Sequence, residues 1–354
     1  MTRYSELDTP AVLIDLDKAE ANLRRAQDAA DKAGLKLRPH IKTHKLPFFA
    51  KKQVELGAVG ITVQKLGEAE VMADAGLTDL LLTFNIIGAA KLNRLKALHE
   101  RVTIRVVADS PECVDGLAAA FTDPAHRLGV FVECDTGMGR CGVQSPEAAL
   151  ALSRRIAAAP GLEFAGLMTY PAAGRYAEAN GWLARAKALF AAEGIALPAI
   201  TTGGTPDIWH MQEAGGIATE YRPGTYIYMD RSQVAAGAAA LGDCALTVLA
   251  TVVSRPTETR AIIDAGSKAL TSDLLGLVGH GHVVEYPDAK VVGLSEEHGT
   301  VDLSACATKP GIGEVIRIIP NHCCPVTNLF DHVNLVRDDQ LVETLPVAAR
   351  GRVD

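Results

Sequence analysis

The sequence has no surplus of positive charge: 35 Lys and Arg stand against 42 Asp and Glu, a net charge of −7. Nucleic acid and anionic lipid surfaces select basic proteins, so neither is expected as a partner. Long apolar runs are also missing. The most apolar stretch, Val234 to Val253, is rich in Ala and Gly and carries Asp243, which leaves no window of about 18 uncharged apolar residues to cross a bilayer. The opening Met1-Thr-Arg-Tyr-Ser-Glu-Leu-Asp8 has no apolar core of a secretory leader, so a cytoplasmic protein is the expectation. Nor is there a disulfide framework. The seven cysteines, at 113, 134, 141, 244, 306, 323 and 324, are odd in number and scattered, which fits reduced thiols.

What is present is the composition of a globular chain, 48% hydrophobic and 22% charged with 32 Gly in 354 residues. At roughly 150 residues per domain that length suggests two domains, although one barrel can take about 250. From Thr9 to about Tyr228, short runs rich in Val, Ile and Leu alternate with segments of helical period. The runs include Val59 to Val63, Asp79 to Phe84, Val102 to Val107, Gly129 to Glu133, Phe164 to Thr169 and Ala199 to Thr202. The helices expected between them include Leu16 to Ala33, Pro111 to Phe121, Ser145 to Ala158 and Tyr176 to Ala192, several opened by Asp, Ser or Pro. About eight such repeats, with strands apolar on both faces, predict a parallel sheet closed as a (β/α)8 TIM-like barrel.

After Arg231 the strands Leu246 to Val253, Arg260 to Asp264, Lys290 to Leu294 and Glu314 to Ile319 follow one another through turns. They predict a mostly antiparallel β domain. The expected division is 1–235 for the barrel and 236–354 for the β domain, with a site at their junction.

Four clusters carry chemistry. The first is Leu37-Arg-Pro-His-Ile-Lys-Thr-His-Lys45. If it is extended, His40, Lys42 and His44 point to one side. A lysine among cationic neighbours is pushed toward its neutral, nucleophilic form, as covalent capture of an aldehyde requires. The second, Thr201-Thr-Gly-Gly-Thr-Pro-Asp207, has the form of a phosphate cradle before a helix, which is also the form of a plain tight turn. Tyr221-Arg-Pro-Gly-Thr-Tyr-Ile-Tyr-Met-Asp230 adds a second glycine turn where barrels complete phosphate sites. The third, Cys134-Asp-Thr-Gly-Met-Gly-Arg-Cys-Gly-Val143, puts Arg140 on a loop at the end of a strand, able to reach a phenolate or a carboxylate. The fourth is Pro320-Asn-His-Cys-Cys-Pro-Val-Thr-Asn328. In an extended backbone His322 and Cys324 share a side, a pair suited to Zn²⁺ with open positions and equally to ordinary burial; Cys323 points away. His298 in Ser295-Glu-Glu-His-Gly299 is either a proton-handling group or satisfied structure, Lys268 is structural, and His280 and His282 lie in a Gly-rich segment read as a surface loop.

An aldehyde-trapping lysine, a phosphate cradle and a ring-contacting arginine together describe pyridoxal 5'-phosphate. Here the chain resembles the alanine-racemase-type pyridoxal phosphate enzymes, and within them the D-threonine aldolase and D-serine dehydratase family. The resemblance runs from about Thr9 to Arg350. Its motifs, in order, are Thr9-Pro-Ala-Val-Leu-Ile-Asp-Leu-Asp17, Arg38-Pro-His-Ile-Lys-Thr-His-Lys45, Gln64-Lys-Leu-Gly-Glu-Ala69, Gly139-Arg-Cys-Gly-Val143, Asp264-Ala-Gly-Ser-Lys268, Glu297-His-Gly299 and Pro320-Asn-His-Cys-Cys324. It implies that Lys42 carries the cofactor covalently and that Arg140 contacts its phenolic oxygen. It also implies that Gly203, Gly204, Thr205, Gly224 and Thr225 surround the phosphate, with Tyr170 and Gln64 near the ring. A divalent metal is implied on His322 and Cys324, zinc before manganese or magnesium. A homodimer is implied too, with the site at the domain and subunit junction.

The resemblance implies a lyase for β-hydroxy-D-amino acids with two outcomes. If Lys42 takes the α-proton and the β-hydroxyl leaves, a keto acid and ammonia result. If a base takes the hydroxyl proton instead, Cα–Cβ cleavage gives glycine and an aldehyde. Aldolases of the family usually place Asp two residues after the metal-binding His and dehydratases place Cys, so His322-Cys-Cys324 favours the D-serine dehydratase type, with the D-threonine aldolase type as the alternative. A racemase would need a second base and no metal, and a simple cofactor carrier would lack the second domain.

Overall fold

The computed structural model describes residues 3–354. Met1 and Thr2, the start of the segment read above for an apolar leader, lie outside them. Among the described residues no helix is long and apolar enough to cross a membrane.

The chain forms two compact units. One comprises Arg25–Lys42, Pro47–Gly224 and Arg352–Asp354. It is built on eight parallel strands in the spatial order Lys36–Leu37, Glu220–Tyr221, Ile200–Thr202, Leu162–Met168, Leu128–Glu133, Thr103–Ala108, Asp79–Leu82 and Ile61–Val63. The first and last segments meet through a parallel bridge of His40 with Thr62 and through hydrogen bonds from Val59 N–H to the Leu37 carbonyl and from Thr62 N–H to the Pro39 carbonyl, which close the barrel. Ile61–Val63 and Ile200–Thr202 are buried at every residue, as expected for parallel strands covered on both faces. Leu81, Val107, Phe131 and Met168 make one core cluster across four neighbouring strands.

The covering helices start where the sequence provides a stop for the first amides. Ser110 Oγ accepts the Cys113 N–H ahead of Pro111–Ala120, and Ser145 Oγ accepts the Ala148 N–H ahead of Pro146–Ala158, each with proline in the first turn. At the seam, the Arg38 guanidinium donates from Nε to Glu220 Oε2 at 3.0 Å, from Nη2 to Glu220 Oε1 at 3.2 Å and from Nη1 to Asp79 Oδ1 at 2.5 Å. This buried fork adds a side-chain tie between the strands that begin at Lys36, Glu220 and Asp79.

The other unit comprises the chain up to Arg24, Thr43–Leu46 and Thr225–Gly351. Its nine-stranded sheet runs in the order Arg260–Ile263, Gly299–Asp302, Lys290–Leu294, Gly281–Val283, Val315–Pro320, Leu246–Thr257, Ala11–Asp15, His332–Arg337 and Gln340–Pro346. Ala11–Asp15 pairs antiparallel with Leu246–Thr257 and parallel with His332–Arg337; every other pairing is antiparallel.

The fold class is the expected one, but the division differs from 1–235 and 236–354. The N-terminal strand, expected in the barrel, belongs to the antiparallel sheet, and the later boundary falls at Gly224–Thr225. Gly281–Val283, read as part of a surface loop, is a paired strand.

Candidate active site

In the barrel unit three of the predicted cofactor residues, Lys42, Arg140 and Gly204, lie around one ring, that of Tyr170. Lys42 does not lie on an extended strand. The parallel strand hydrogen bonds run on to His40, whose N–H donates to the Pro223 carbonyl at 2.9 Å, and Ile41–Thr43 then forms a 3-10 turn. His40 Nδ1 accepts the Lys42 N–H at 3.3 Å, which favours the turn. His40, Lys42 and His44 therefore do not share a face by strand alternation, and that expectation is corrected. His40 Nε2 lies 3.0 Å from Gln64 Oε1, and Gln64 Nε2 donates to the Thr83 carbonyl at 2.9 Å, so the amide is oriented to accept from the imidazole. The predicted Gln64 thus acts through His40 on the turn that bears the lysine.

Lys42 Nζ is 5.8 Å from the centre of the Tyr170 ring, and the Arg140 guanidinium carbon is 5.3 Å from the same ring. Gly204 lies against this tyrosine, since a Cβ there would stand 3.0 Å from Tyr170 Cε2. Gly203 has φ +93°, and a Cβ on it would meet the Tyr221 ring at 2.4 Å, so the close loop requires glycine. Thr205 Oγ1 accepts the Gly224 N–H at 3.2 Å and joins the two glycine turns predicted to share a phosphate. Two recesses of this unit, about 620 and 380 Å³, open around Asp79, Arg105 and Glu163 at the other ends of the strands and contain none of these residues. In barrels of this kind chemistry resides at the C-terminal ends of strands.

Two residues here escaped the sequence reading. Glu133, at the end of Leu128–Glu133, is buried, and its carboxyl is pushed up to about 7. Burial and Asp109 raise it, and Arg140 and Arg222 oppose them. Arg222 is buried, donates from Nε to Thr201 Oγ1 at 2.8 Å and binds the Thr169 carbonyl; desolvation draws it down to about 10. Arg222 lies in the quoted Tyr221–Asp230 segment, and its charge was the available signal.

In the antiparallel unit His322 and Cys324 are brought together, although not on an extended backbone. His322 precedes the short helix Cys323–Leu329, whose first N–H is accepted by Asp230 Oδ2 at 3.0 Å. The Cys324 thiol is held well below the usual thiol range by hydrogen bonds from Cys323 and His322, against the effect of burial. Burial opposes charge on His322, but the Cys324 sulfur and Asp273 outweigh it and lift the imidazole to about 9. Each partner thus favours charge on the other, and a cation binding there would displace the proton they share.

Thr43 Oγ1 lies 3.2 Å and Thr225 Oγ1 3.6 Å from Cys324 Sγ. The Thr225 hydroxyl, predicted for the phosphate, thus faces the sulfur. Thr43 is joined to Lys42 by a peptide bond. Among the described residues no three His, Cys, Asp or Glu side chains converge on a point. A two-ligand imidazole and thiolate set suits a borderline-soft divalent cation with open positions.

The remaining predictions fare differently. His44 is fully buried and its Nδ1 accepts the Leu46 N–H at 3.1 Å, so that nitrogen is committed to the turn rather than to catalysis. His298 is exposed in the turn where its carbonyl accepts the Ser295 N–H, and no contact brings it to His322 or Cys324. Lys268 pairs on the surface with Glu296 and Glu297, as expected of a structural residue. Cys323 is buried.

A barrel with a lysine-bearing turn and a glycine-lined cradle, together with a β domain holding an imidazole–thiolate pair, defines an alanine-racemase-like architecture. The family "Alanine racemase, N-terminal domain" matches residues 14–232, and "Putative serine dehydratase domain" matches residues 245–336. The chain belongs to the alanine racemase N-terminal domain family. It is 36% identical over 361 residues to D-threonine aldolase of Arthrobacter sp., covering 98% of this chain and 94% of that protein. It is 32% identical over 370 residues to D-threo-3-hydroxyaspartate dehydratase of Delftia sp. (strain HT23), covering 96% of each. The crystal structure of D-threonine aldolase from Filomicrobium marinum superposes with a TM-score of 0.92 at 34% identity, covering 99% of this chain and 98% of that one.

Proposed function

We propose that this protein is a D-serine-dehydratase-type enzyme that converts β-hydroxy-D-amino acids to a keto acid and ammonia with pyridoxal 5'-phosphate and a divalent cation, zinc first. The broader class is firm: the relatives are aldolases and dehydratases of hydroxy amino acids, and the chain is a pyridoxal phosphate-dependent lyase. The observation that supports the dehydratase type is the donor set, the Cys324 sulfur beside the His322 imidazole.

The residues fit the cofactor. Lys42 would hold it covalently, Gly203, Gly204, Thr205 and Gly224 would surround its phosphate, and Arg140 and Tyr170 would flank its ring. When bound, it supplies an electron sink for charge developing at Cα. His40 orients the Lys42 turn from one side, and the Lys42 amine is the group that takes the Cα proton. His322 and Cys324 would hold the cation, which would supply Lewis-acid stabilisation of negative charge on oxygen. Loss of that hydroxyl and addition of water balance as serine to pyruvate and ammonia.

Retro-aldol cleavage is a second reading, favoured by the identity to aldolases over nearly the whole chain. Incubation with D-threonine distinguishes them. The dehydratase reading expects 2-oxobutanoate and ammonia, and glycine with acetaldehyde as the main products overturns it. Lys42→Ala should abolish the yellow absorbance of the bound cofactor. A homodimer belongs to this reading by resemblance, and a monomer in sedimentation velocity would remove it.

A further inference from the structure

The two nitrogens of His322 are engaged differently. Nδ1 lies 2.7 Å from Asp273 Oδ2, which leaves Nε2 as the nitrogen for the Cys324 side. Asp273 is held by its backbone rather than by its carboxylate. Its N–H donates to Thr271 Oγ1 at 2.9 Å, and its carbonyl accepts from Asn321 Nδ2 at 3.1 Å. Asn321 Nδ2 also donates to the Gly279 carbonyl at 2.8 Å, and its Oδ1 accepts from Arg231 Nη1 at 2.6 Å. Arg231 Nη2 donates to the Val278 carbonyl at 3.1 Å. Buried Asn321, the residue just before His322, thus pins both ends of the segment 273–279. The Asp273 side chain is not needed for that, and its carboxylate pairs with the imidazole.

We infer that Asp273 is the positioning residue of the metal pair: its carboxylate accepts the Nδ1 proton of His322, sets the ring plane and presents Nε2 toward the cation beside Cys324. This rests on the metal reading above and deepens it. A ligand imidazole that donates its second N–H to a carboxylate is fixed in one tautomer and made more basic, and loss of such a partner weakens metal binding by about 10–100-fold. The carboxylate sits on the nitrogen away from Cys324, so it supports the pair and does not add a third ligand, in keeping with the absence of a three-ligand cluster among the described residues.

The test uses the full-length protein with cofactor bound, stripped of metal by chelation and titrated with Co²⁺. Thiolate-to-cobalt absorbance and calorimetry follow binding. Asp273→Ala is expected to weaken Co²⁺ binding by about 10–100-fold with the cofactor absorbance unchanged. Asp273→Asn, whose amide oxygen still accepts from Nδ1, should fall between, and it decides the matter if the alanine variant does not fold. In Zn²⁺-loaded protein the His322 Nδ1 proton should resonate far downfield and lose that shift in Asp273→Ala. Wild-type Co²⁺ affinity in the Asp273 variants overturns the inference and leaves the metal pair standing. A wild-type protein that binds no Co²⁺, or a His322→Ala variant that binds it equally well, overturns the metal reading and the inference with it.

Discussion

The backbone N–H of Lys42 donates to Nδ1 of His40 at 3.3 Å, so the residue bearing the reactive amine is oriented by the imidazole two positions before it. Gln64 Oε1 holds the other nitrogen at 3.0 Å. The histidine acts on the lysine's backbone, and this distinguishes two kinds of damage. Removing Lys42 removes the covalent attachment, whereas removing His40 leaves the amine present on a looser turn. His40→Ala should therefore retain the yellow absorbance and lose about 100-fold in kcat, the scale of a small misplacement of a reacting group. Equal cofactor content with unchanged kcat would show that the turn holds without the imidazole.

Cys324 offers a change of ligand rather than a loss. Its sulfur sits 3.2 Å from the Thr43 hydroxyl, and its thiol is held well below the usual thiol range. Cys324→Asp keeps a charged donor but replaces sulfur by hard oxygen, which favours manganese over zinc. With D-threonine as substrate, the ratio of 2-oxobutanoate to acetaldehyde is expected to fall in this variant and its preferred metal to move from Zn²⁺ to Mn²⁺. An unchanged product ratio with each metal would remove the ligand as the source of reaction choice.

Much of the barrel was legible because its strands are apolar on both faces and its helices open on Ser–Pro pairs such as Ser145 and Pro146. Ala11–Asp15 was not. It is buried at four successive residues like a barrel strand, and its pairing with Leu246–Thr257 and His332–Arg337, more than two hundred residues later, assigns it to the other sheet. At the site, the identities of Lys42, Arg140 and Cys324 could be read from short motifs. Their backbones could not, because the Lys42 turn depends on the His40 side chain and the Cys323 helix start depends on Asp230. Asp273 had no local signal at all: its partner His322 lies 49 positions further on.

The seam of the barrel makes a stability prediction. Glu220 is buried and its carboxylate faces Arg38 through two hydrogen bonds, while Asp79 keeps a second partner in Arg105 at 3.0 Å. Arg38→Ala would leave the Glu220 charge buried and unpaired, at a cost of about 3–5 kcal/mol. Trp182 and Trp209 both lie in the barrel unit, so tryptophan fluorescence in a urea titration reports this loss directly. A midpoint within error of wild type would mean that water or a shifted neighbour replaces the fork.

Glu133 predicts how that stability depends on pH. Burial raises its folded-state pKa from the ordinary 4.5 to about 7, with Asp109 adding to the rise and Arg140 and Arg222 only partly opposing it. The folded protein therefore holds a proton there that the unfolded chain releases. Below pH 4.5 the group is neutral in both states and has no effect; between 4.5 and 7 the folded state loses ground, and above 7 the whole difference is felt. About 2.5 pKa units correspond to about 3 kcal/mol. Glu133→Gln removes the titration, so its stability relative to wild type should rise by up to about 3 kcal/mol between pH 5 and pH 8, read by urea denaturation of the cofactor-free protein through tryptophan fluorescence. Parallel pH curves for the two proteins would show that Glu133 is ionised in the folded barrel at neutral pH, with Arg140 and Arg222 outweighing its burial.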